Sequence, residues 1–448
     1  LATLFDSDPA TSYLIAWLGS FFIFCITLTG WVKPIPNDRS FSEQLMRPLF
    51  IMQIIFAGYM CCTSIFYYFD VIGYSDFKKT TSFFLPDQTR LMLTAQCQRY
   101  YCLGHAAFVT GILVFMKYPE KKKYYVKIDV LANLLLRIAL ISAPVSLIFL
   151  KVPGLTQFSF QFSSLSFIAG TLALAFAIPL KKTLNTLICA VLYLFNLYLA
   201  FHSGFKEPVI ISIMVLGVFL YPNYKKIVIV IFVPLLLATF ILLPTYVSNF
   251  RQNAWSGEAN VEESSQLALD ATLNNDIDES NQAFFVYRLS EIDMFITFVQ
   301  STPQNVDYYG IKLLEQSLIV LVPRVFWPGK PITENMVMER VYNAGVINRQ
   351  SSVSAKPAFI VDAYLSGGLP GILIALFVYG AIAQLISMKA EMLFGGYMLG
   401  TALIFSGLFQ ILWRGLSFEF IINSVFWSYI TMLILHRILL ATRFLKPI

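Results

Sequence analysis

Charge is scarce in this chain, and histidine is scarcer still. Asp, Glu, Lys and Arg make up 13% of the 448 residues, and there are three histidines. So little charge excludes an ordinary soluble domain, in which about a quarter of residues are charged. The six cysteines (Cys25, Cys61, Cys62, Cys97, Cys102 and Cys189) all fall in apolar stretches. They indicate neither a disulfide framework nor a CxxC metal pattern and read as small core residues. Internal repeats are absent, which weighs against a transporter built from repeated halves. No cleavable signal peptide is expected, and a start at Leu1 rather than Met is compatible with a missing N-terminal piece.

What the chain has is apolar length. Hydrophobic residues make up 57% and the mean hydropathy is +0.68, and several stretches reach the ~20 residues that cross a bilayer as helix. The expected fold is an all-α polytopic integral membrane protein with eleven transmembrane helices. They cover roughly 12–32, 48–72, 91–116, 128–150, 160–180, 184–202, 207–221, 227–248, 358–387, 392–413 and 419–441. A twelfth would be added by a missing N-terminal piece. Residues 202–208 separate two short helices, as a loop or a re-entrant turn. The chain therefore divides into an N-terminal bundle (1–248), a long hydrophilic loop (249–357) and a C-terminal group of helices (358–448).

Lys and Arg alternate between connections. One set, including Lys33, Arg39, Arg47, Lys121 to Lys123, Lys225, Lys226 and Arg443, holds sixteen; the short connections on the other side hold six. The positive-inside rule puts the first set and the C-terminus in the cytoplasm and the long loop outside. The loop opens with an acidic, polar third, read as a flexible or loosely helical excursion. Its Asp276 and Asp278 resemble the start of a calcium loop but lack the glycine and terminal glutamate, so no metal is expected. Apolar residues then recur at helical spacing over Ala283 to Val299 and Ile311 to Val322, as two amphipathic helices at the membrane surface.

Between those helices and the next span lies Pro323-Arg324-Val325-Phe326-Trp327-Pro328-Gly329-Lys330-Pro331. Three prolines in nine residues cannot continue a helix, so the run predicts a stiff turn holding Arg324 and Lys330 in fixed relation. Further on, Asp362 stands inside an apolar run, followed by Gly367-Gly368-Leu369-Pro370-Gly371.

From about Arg288 to Gly415, a little over a quarter of the chain, these pieces resemble the bacterial O-antigen polymerase (Wzy-like) family. The pieces are Tyr287-Arg288-Leu289-Ser290, Thr302-Pro303, Tyr308-Tyr309-Gly310, the proline turn, Asp362-Ala363-Tyr364 with its glycine cluster, and Arg414-Gly415. Where many relatives carry glutamate, this chain has Asp362. The resemblance implies a membrane glycosyltransferase (GT-C-like) architecture with its active site under the loop, in a bacterial inner membrane. It implies substrates linked to undecaprenyl pyrophosphate, a polysaccharide product, and chain length set by a separate co-polymerase. Membrane lipids are the other expected partners, and no nucleic acid is.

On that resemblance, the leaving group is a lipid pyrophosphate, which needs positive charge rather than a general acid. With no carboxylate cluster at metal spacing on the loop side, we expect arginines, no metal and no cofactor. Arg324 is the first candidate, with Lys330, Arg288 and Arg414 beside it. The competing readings are carbonyl capping for Arg324, an i+3 ion pair with Glu291 for Arg288, and snorkelling for Arg414. Trp327, Tyr309 and Tyr364 are candidates for glycan or lipid contact, or plain interfacial aromatics. Asp362 is the candidate base for the acceptor hydroxyl, with Glu291 and Glu419 as alternatives and pairing with an arginine as the competing reading. Arg99 and Arg137 lie within spans and need partners, and His105, His202 and His436 read as core hydrogen-bonding groups. The expected activity is polymerisation of lipid-linked oligosaccharide repeats. A ligase that transfers to a lipid A core, or a flippase of lipid-linked sugars, is the alternative.

Overall fold

The computed structural model describes residues 1–75, 78–79, 84–118, 123–152, 154–202, 207–256, 260–274, 284–351, 354–413 and 416–448. Helices dominate these residues. The first membrane helices are α1 (Pro9–Leu28), α2 (Pro48–Val71, with a π-helical stretch over Ile54–Cys62) and α3 (Gln88–Phe115). They are followed by α4 (Ile128–Lys151), α5 (Thr156–Ala177), α6 (Thr183–Phe201) and α7 (Glu207–Ser256). The loop contributes α8 (Val261–Asn274), α9 (Ile292–Ser301), α10 (Lys312–Leu321) and α11 (Thr333–Asn343). The chain ends with α12 (Phe359–Phe394), α13 (Tyr397–Ile404, continuing through a π turn to Trp413) and α14 (Phe418–Ala441). Sheet among the described residues is confined to two two-residue pairings, Tyr74–Ser75 with Lys78–Lys79 and Tyr124–Tyr125 with Lys446–Pro447.

Seven of the described helices are long and apolar enough to cross a membrane: α1, α2, α4, α6, α7, α12 and α14. The expected spans near 91–116, 160–180 and 392–413 fall on α3, α5 and the α13 segment. Gln96, Gln98 and Arg99 lower the hydropathy of α3, and the π turn divides the α13 segment. Spans expected at 207–221 and 227–248 form one helical run whose single non-helical residue is Tyr224 (φ −133°, ψ 44°), beside Lys225 and Lys226. The boundary at 248 lies inside this helix, because the backbone runs on to Ser256 after the apolar stretch ends. The described part of the acidic third is helix α8, packed on α7 through fully buried Ala268; Asp276 and Asp278 lie outside the described residues. Helix α9, the first of the two amphipathic loop helices, turns Ile292, Phe295 and Phe298 into the core, with Phe295 against Tyr101 of α3.

Helices α3 and α12 pack backbone to backbone. A Cβ on Gly111 would stand 2.1 Å from the carbonyl of Phe377, and one on Gly380 2.1 Å from that of Phe108. Only glycine lets the two backbones touch there, as in small-residue membrane crossings. Helix α12 is itself broken at Gly367–Gly368, where Gly368 takes φ 64° and ψ −138°, a conformation open essentially to glycine alone. The opposite end of the bundle is tied by a polar network from the 29–47 connection. Arg39 bonds Glu391 of α12, Arg47 pairs with Asp38 at 2.5 Å and lies over the Tyr118 ring, and Lys33 caps the last carbonyls of α3.

Candidate functional site

A groove of roughly 970 Å³ runs between α12 and α14. On α12 its wall is a stripe at helical spacing, from Gly367 and Gly371 through Ile374, Val378 and Ile382 to Ile386. On α14 it is lined by Phe418, Ile421, Ile422, Val425, Phe426 and Tyr429. From Gly367 to Ile386 the stripe covers about 29 Å at 1.5 Å per residue, the thickness of a hydrocarbon layer. The lining is almost wholly apolar. Its head lies at the break in α12, under Gly310, Ile311 and Leu314 at the start of α10. Irregular backbone at membrane depth is tolerated where it lines such a cavity.

Beside the groove head lies a buried ion cluster. Arg340, on the apolar face of α11 with Val337 and Val341, grips Glu419 with both arms of its guanidinium at 2.7 Å. One of the same nitrogens donates to Asp362 Oδ2 at 2.9 Å, and the Phe418 backbone N–H donates to that oxygen at 2.8 Å. Arg340, Asp362 and Glu419 are each at most 2% exposed. Burial pulls the Arg340 guanidinium down, but its two carboxylates outweigh that and hold it above the usual arginine range. Arg340 Nε and Asp362 Oδ1 have no hydrogen-bond partner among the described residues. Phe359 and Phe418, which line the groove, meet next to the cluster with ring centroids 4.6 Å apart and planes tilted by 47°.

The proline turn is braced by its own cations. Arg324 donates to the carbonyls of Lys330 (2.8 Å) and Pro331 (3.1 Å), and Lys330 Nζ donates to those of Val320 (3.0 Å) and Val322 (2.7 Å). Carbonyls carry no formal charge, and neither cation forms an ion pair among the described residues. Burial, and then the nearby Arg324 guanidinium, lower the Lys330 ammonium from its usual value. The turn packs against Gly154, where a Cβ would meet the Val325 nitrogen at 2.9 Å.

The other sequence candidates are dispersed. Arg288 is exposed, with no side-chain hydrogen bond or ion pair among the described residues, and Glu291 holds the N-cap position of α9 in a left-handed conformation (φ 56°) without a side-chain capping bond. Tyr364 is buried, its hydroxyl donating to the Thr302 carbonyl at 2.7 Å, and the Tyr309 N–H donates to the Leu365 carbonyl at 2.8 Å. Trp327 and Phe326 are exposed on the turn. Arg414 and Gly415 lie outside the described residues. Arg99 pairs with Asp6, Arg137 lies over the Phe444 ring, and His105 bonds Gln53 in the core. Asp362 and Glu419 are thus brought together by a residue that sequence reasoning passed over. Arg340 did leave a signal, a cation on the apolar face of a short amphipathic helix.

These features define an α-helical membrane protein with a long apolar groove, an ion cluster at its head and, after α10, a turn whose two cations form no ion pair among the described residues. The chain belongs to the family described as a domain of unknown function (DUF8712), whose model matches residues 1–447. No curated protein and no solved structure matches it.

Proposed function

We propose that this chain is a membrane glycosyltransferase that polymerises oligosaccharide repeats carried on polyprenyl pyrophosphate. The groove between α12 and α14 carries the reading. It suits a long apolar chain, and its head meets broken helix and loop, where a polar headgroup would sit. Its apolar walls offer a headgroup no track through the membrane, which favours chemistry at one surface over flipping. The alternation of Lys and Arg favours the outer side of the membrane for that surface and the cytoplasm for the C-terminus, and the resemblance to O-antigen polymerases implies a bacterial inner membrane.

In this scheme the growing glycan on one lipid pyrophosphate is the donor and a fresh lipid-linked unit is the acceptor. An acceptor hydroxyl oxygen bonds to the donor's anomeric carbon. The bond from that carbon to the pyrophosphate breaks, and the lipid pyrophosphate leaves with the electron pair. The hydroxyl proton passes to the departing pyrophosphate, so Asp362 acts by positioning α11 through Arg340. Arg324 supplies charge for the leaving group. Transfer to a lipid A core instead of a fresh unit would use the same donor side, and incubation with donor lipids alone separates the two.

The test is polysaccharide laddering in a host lacking its own polymerase, with membrane levels matched. Wild type should give a ladder. Ala375→Trp and, lower in the groove, Ile382→Trp should leave single units. A normal ladder from both groove-filled variants would sink the reading.

A further inference from the structure

Helix α12 has a second crevice on its other side. It is roughly 440 Å³, bounded by Ala106, Ala107 and Thr110 of α3 and by Leu373, Phe377 and the outward ridge of α12. Ile374 and Val378 line both this crevice and the main groove, so a ridge one side chain wide separates them. Both volumes fall within the ~300–1,000 Å³ of ordinary ligand pockets.

The crevice is built by the same contacts that hold the fold. Gly111 and Gly380 bring α3 and α12 to backbone contact, and Ala106 and Ala107 then leave space where larger side chains would fill it. Thr110 adds no unmet polar group, because its hydroxyl donates to the Ala106 carbonyl at 2.7 Å. Residues 373–378 lie about 9–17 Å along α12 from its break at Gly367, midway down the main groove, and cover about 8 Å of the helix. The crevice therefore grips only a short, mid-depth stretch of a chain.

We propose that this crevice holds a short stretch of the isoprenoid chain of a second polyprenyl pyrophosphate, the acceptor substrate. The proposal rests on the polymerase reading, in which two lipid-linked substrates must present their heads to one another. Two apolar tracks at one depth, divided by Ile374 and Val378, do this without crossing tails. The difference in length matches the two roles. The donor's tail is held across the membrane while its glycan is transferred, and the acceptor enters a short, open seat. After transfer the lengthened glycan stands on the lipid in the short crevice, and crossing the ridge returns it to the donor groove for the next round.

The test uses the full chain in nanodiscs with a diazirine-bearing polyprenyl pyrophosphate, and in parallel a diazirine-bearing phosphatidylglycerol, with labelled peptides read by mass spectrometry. The polyprenyl probe should label α14 at 421–429 and α3 at 106–110 several-fold above the lipid-facing α6. Excess unlabelled polyprenyl pyrophosphate should remove both labels. Thr110→Trp, or Ala106→Trp if that variant folds poorly, should abolish the α3 label and leave the α14 label. Labelling of α14 without α3, or equal α3 labelling by the phospholipid, would overturn the second seat and leave the polymerase reading standing. Absence of competed label from α14 would overturn both.

Discussion

Arg324 and Arg340 stand sixteen positions apart on one loop segment, the first in the proline turn and the second near the end of α11. Their surroundings treat them differently. Arg340 is buried and meets two carboxylates from two membrane helices, whereas Arg324 is half-buried and meets only carbonyls. A buried cation with matched carboxylates fastens the loop to the bundle. A cation held by carbonyls keeps its charge for something else. Position along the loop does not distinguish the two; the partner does.

The sharpest way to break this comparison is to remove Arg340. Arg340→Leu strands Asp362 and Glu419 without a counterion, and losing one partner of a buried ion pair costs about 3–5 kcal/mol. We expect a large drop in the thermal unfolding midpoint in detergent, with loop proteolysis appearing first. Replacing both carboxylates by leucine in the Arg340→Leu background should recover much of the loss, because an apolar trio leaves no buried charge unpaired. A wild-type midpoint for Arg340→Leu would remove the distinction between the two arginines.

Within the cluster the effects should be graded. Glu419→Gln spoils the two-pronged grip and should cost more than Asp362→Asn, which can still accept from the Phe418 N–H through its amide oxygen. Each loss falls in the range of about 1–3 kcal/mol for a buried polar group whose hydrogen bonds are disturbed. The reverse order would show that Asp362, not Glu419, is the main anchor of α11.

Removing Arg324 should do the opposite of removing Arg340. Arg324→Ala loses two bonds to carbonyls at a half-buried site, so the unfolding midpoint should move little. Polymer formation should fall by about 10- to 150-fold, the equivalent of about 1.5–3 kcal/mol for one charged hydrogen bond to the leaving group. Arg324→Lys keeps the charge without the planar fork and should recover part of it. Loss of stability in step with loss of polymer would make Arg324 a brace for the turn and nothing more.

Several parts of this arrangement were open to reading from sequence, and the reasons differ. The prolines forced a stiff turn, and the turn is there; that its cations would spend their donors on carbonyls of the turn and of the end of α10 depends on a backbone path no spacing encodes. Asp362 was visible as a carboxylate in an apolar run. Its partner was not, because Arg340 lies 22 positions away and joins it to Glu419, a further 57 positions on. The groove was hidden for another reason. Helix α12 is apolar on nearly every face, so its pattern does not say which stripe meets lipid, which meets α3 and which is left open. The break at Gly367–Gly368 was foreshadowed by the glycine cluster, whereas the merging of two expected spans into α7 was not, since its prolines and lysines read as a loop.

The smallest effect is expected one position before Arg340. Glu339 points the other way, to water, and takes both arms of Arg349 at 2.7 and 3.1 Å, with each side chain more than half exposed. The Arg349 hydrogen bond holds the Glu339 carboxyl below the usual glutamate value. A depressed acid contributes stability that is present above its unfolded pKa and lost as pH falls through its folded one, so any contribution disappears in acid, below the ordinary glutamate range. Solvent screens this pair, and salt weakens it further. Arg349→Gln should therefore melt within error of wild type at pH 7, and acidification should narrow what difference there is. A drop approaching that of Arg340→Leu would mean that α11 is held from its exposed face, and the contrast between buried and exposed cations would fail at the helix where it is drawn most closely.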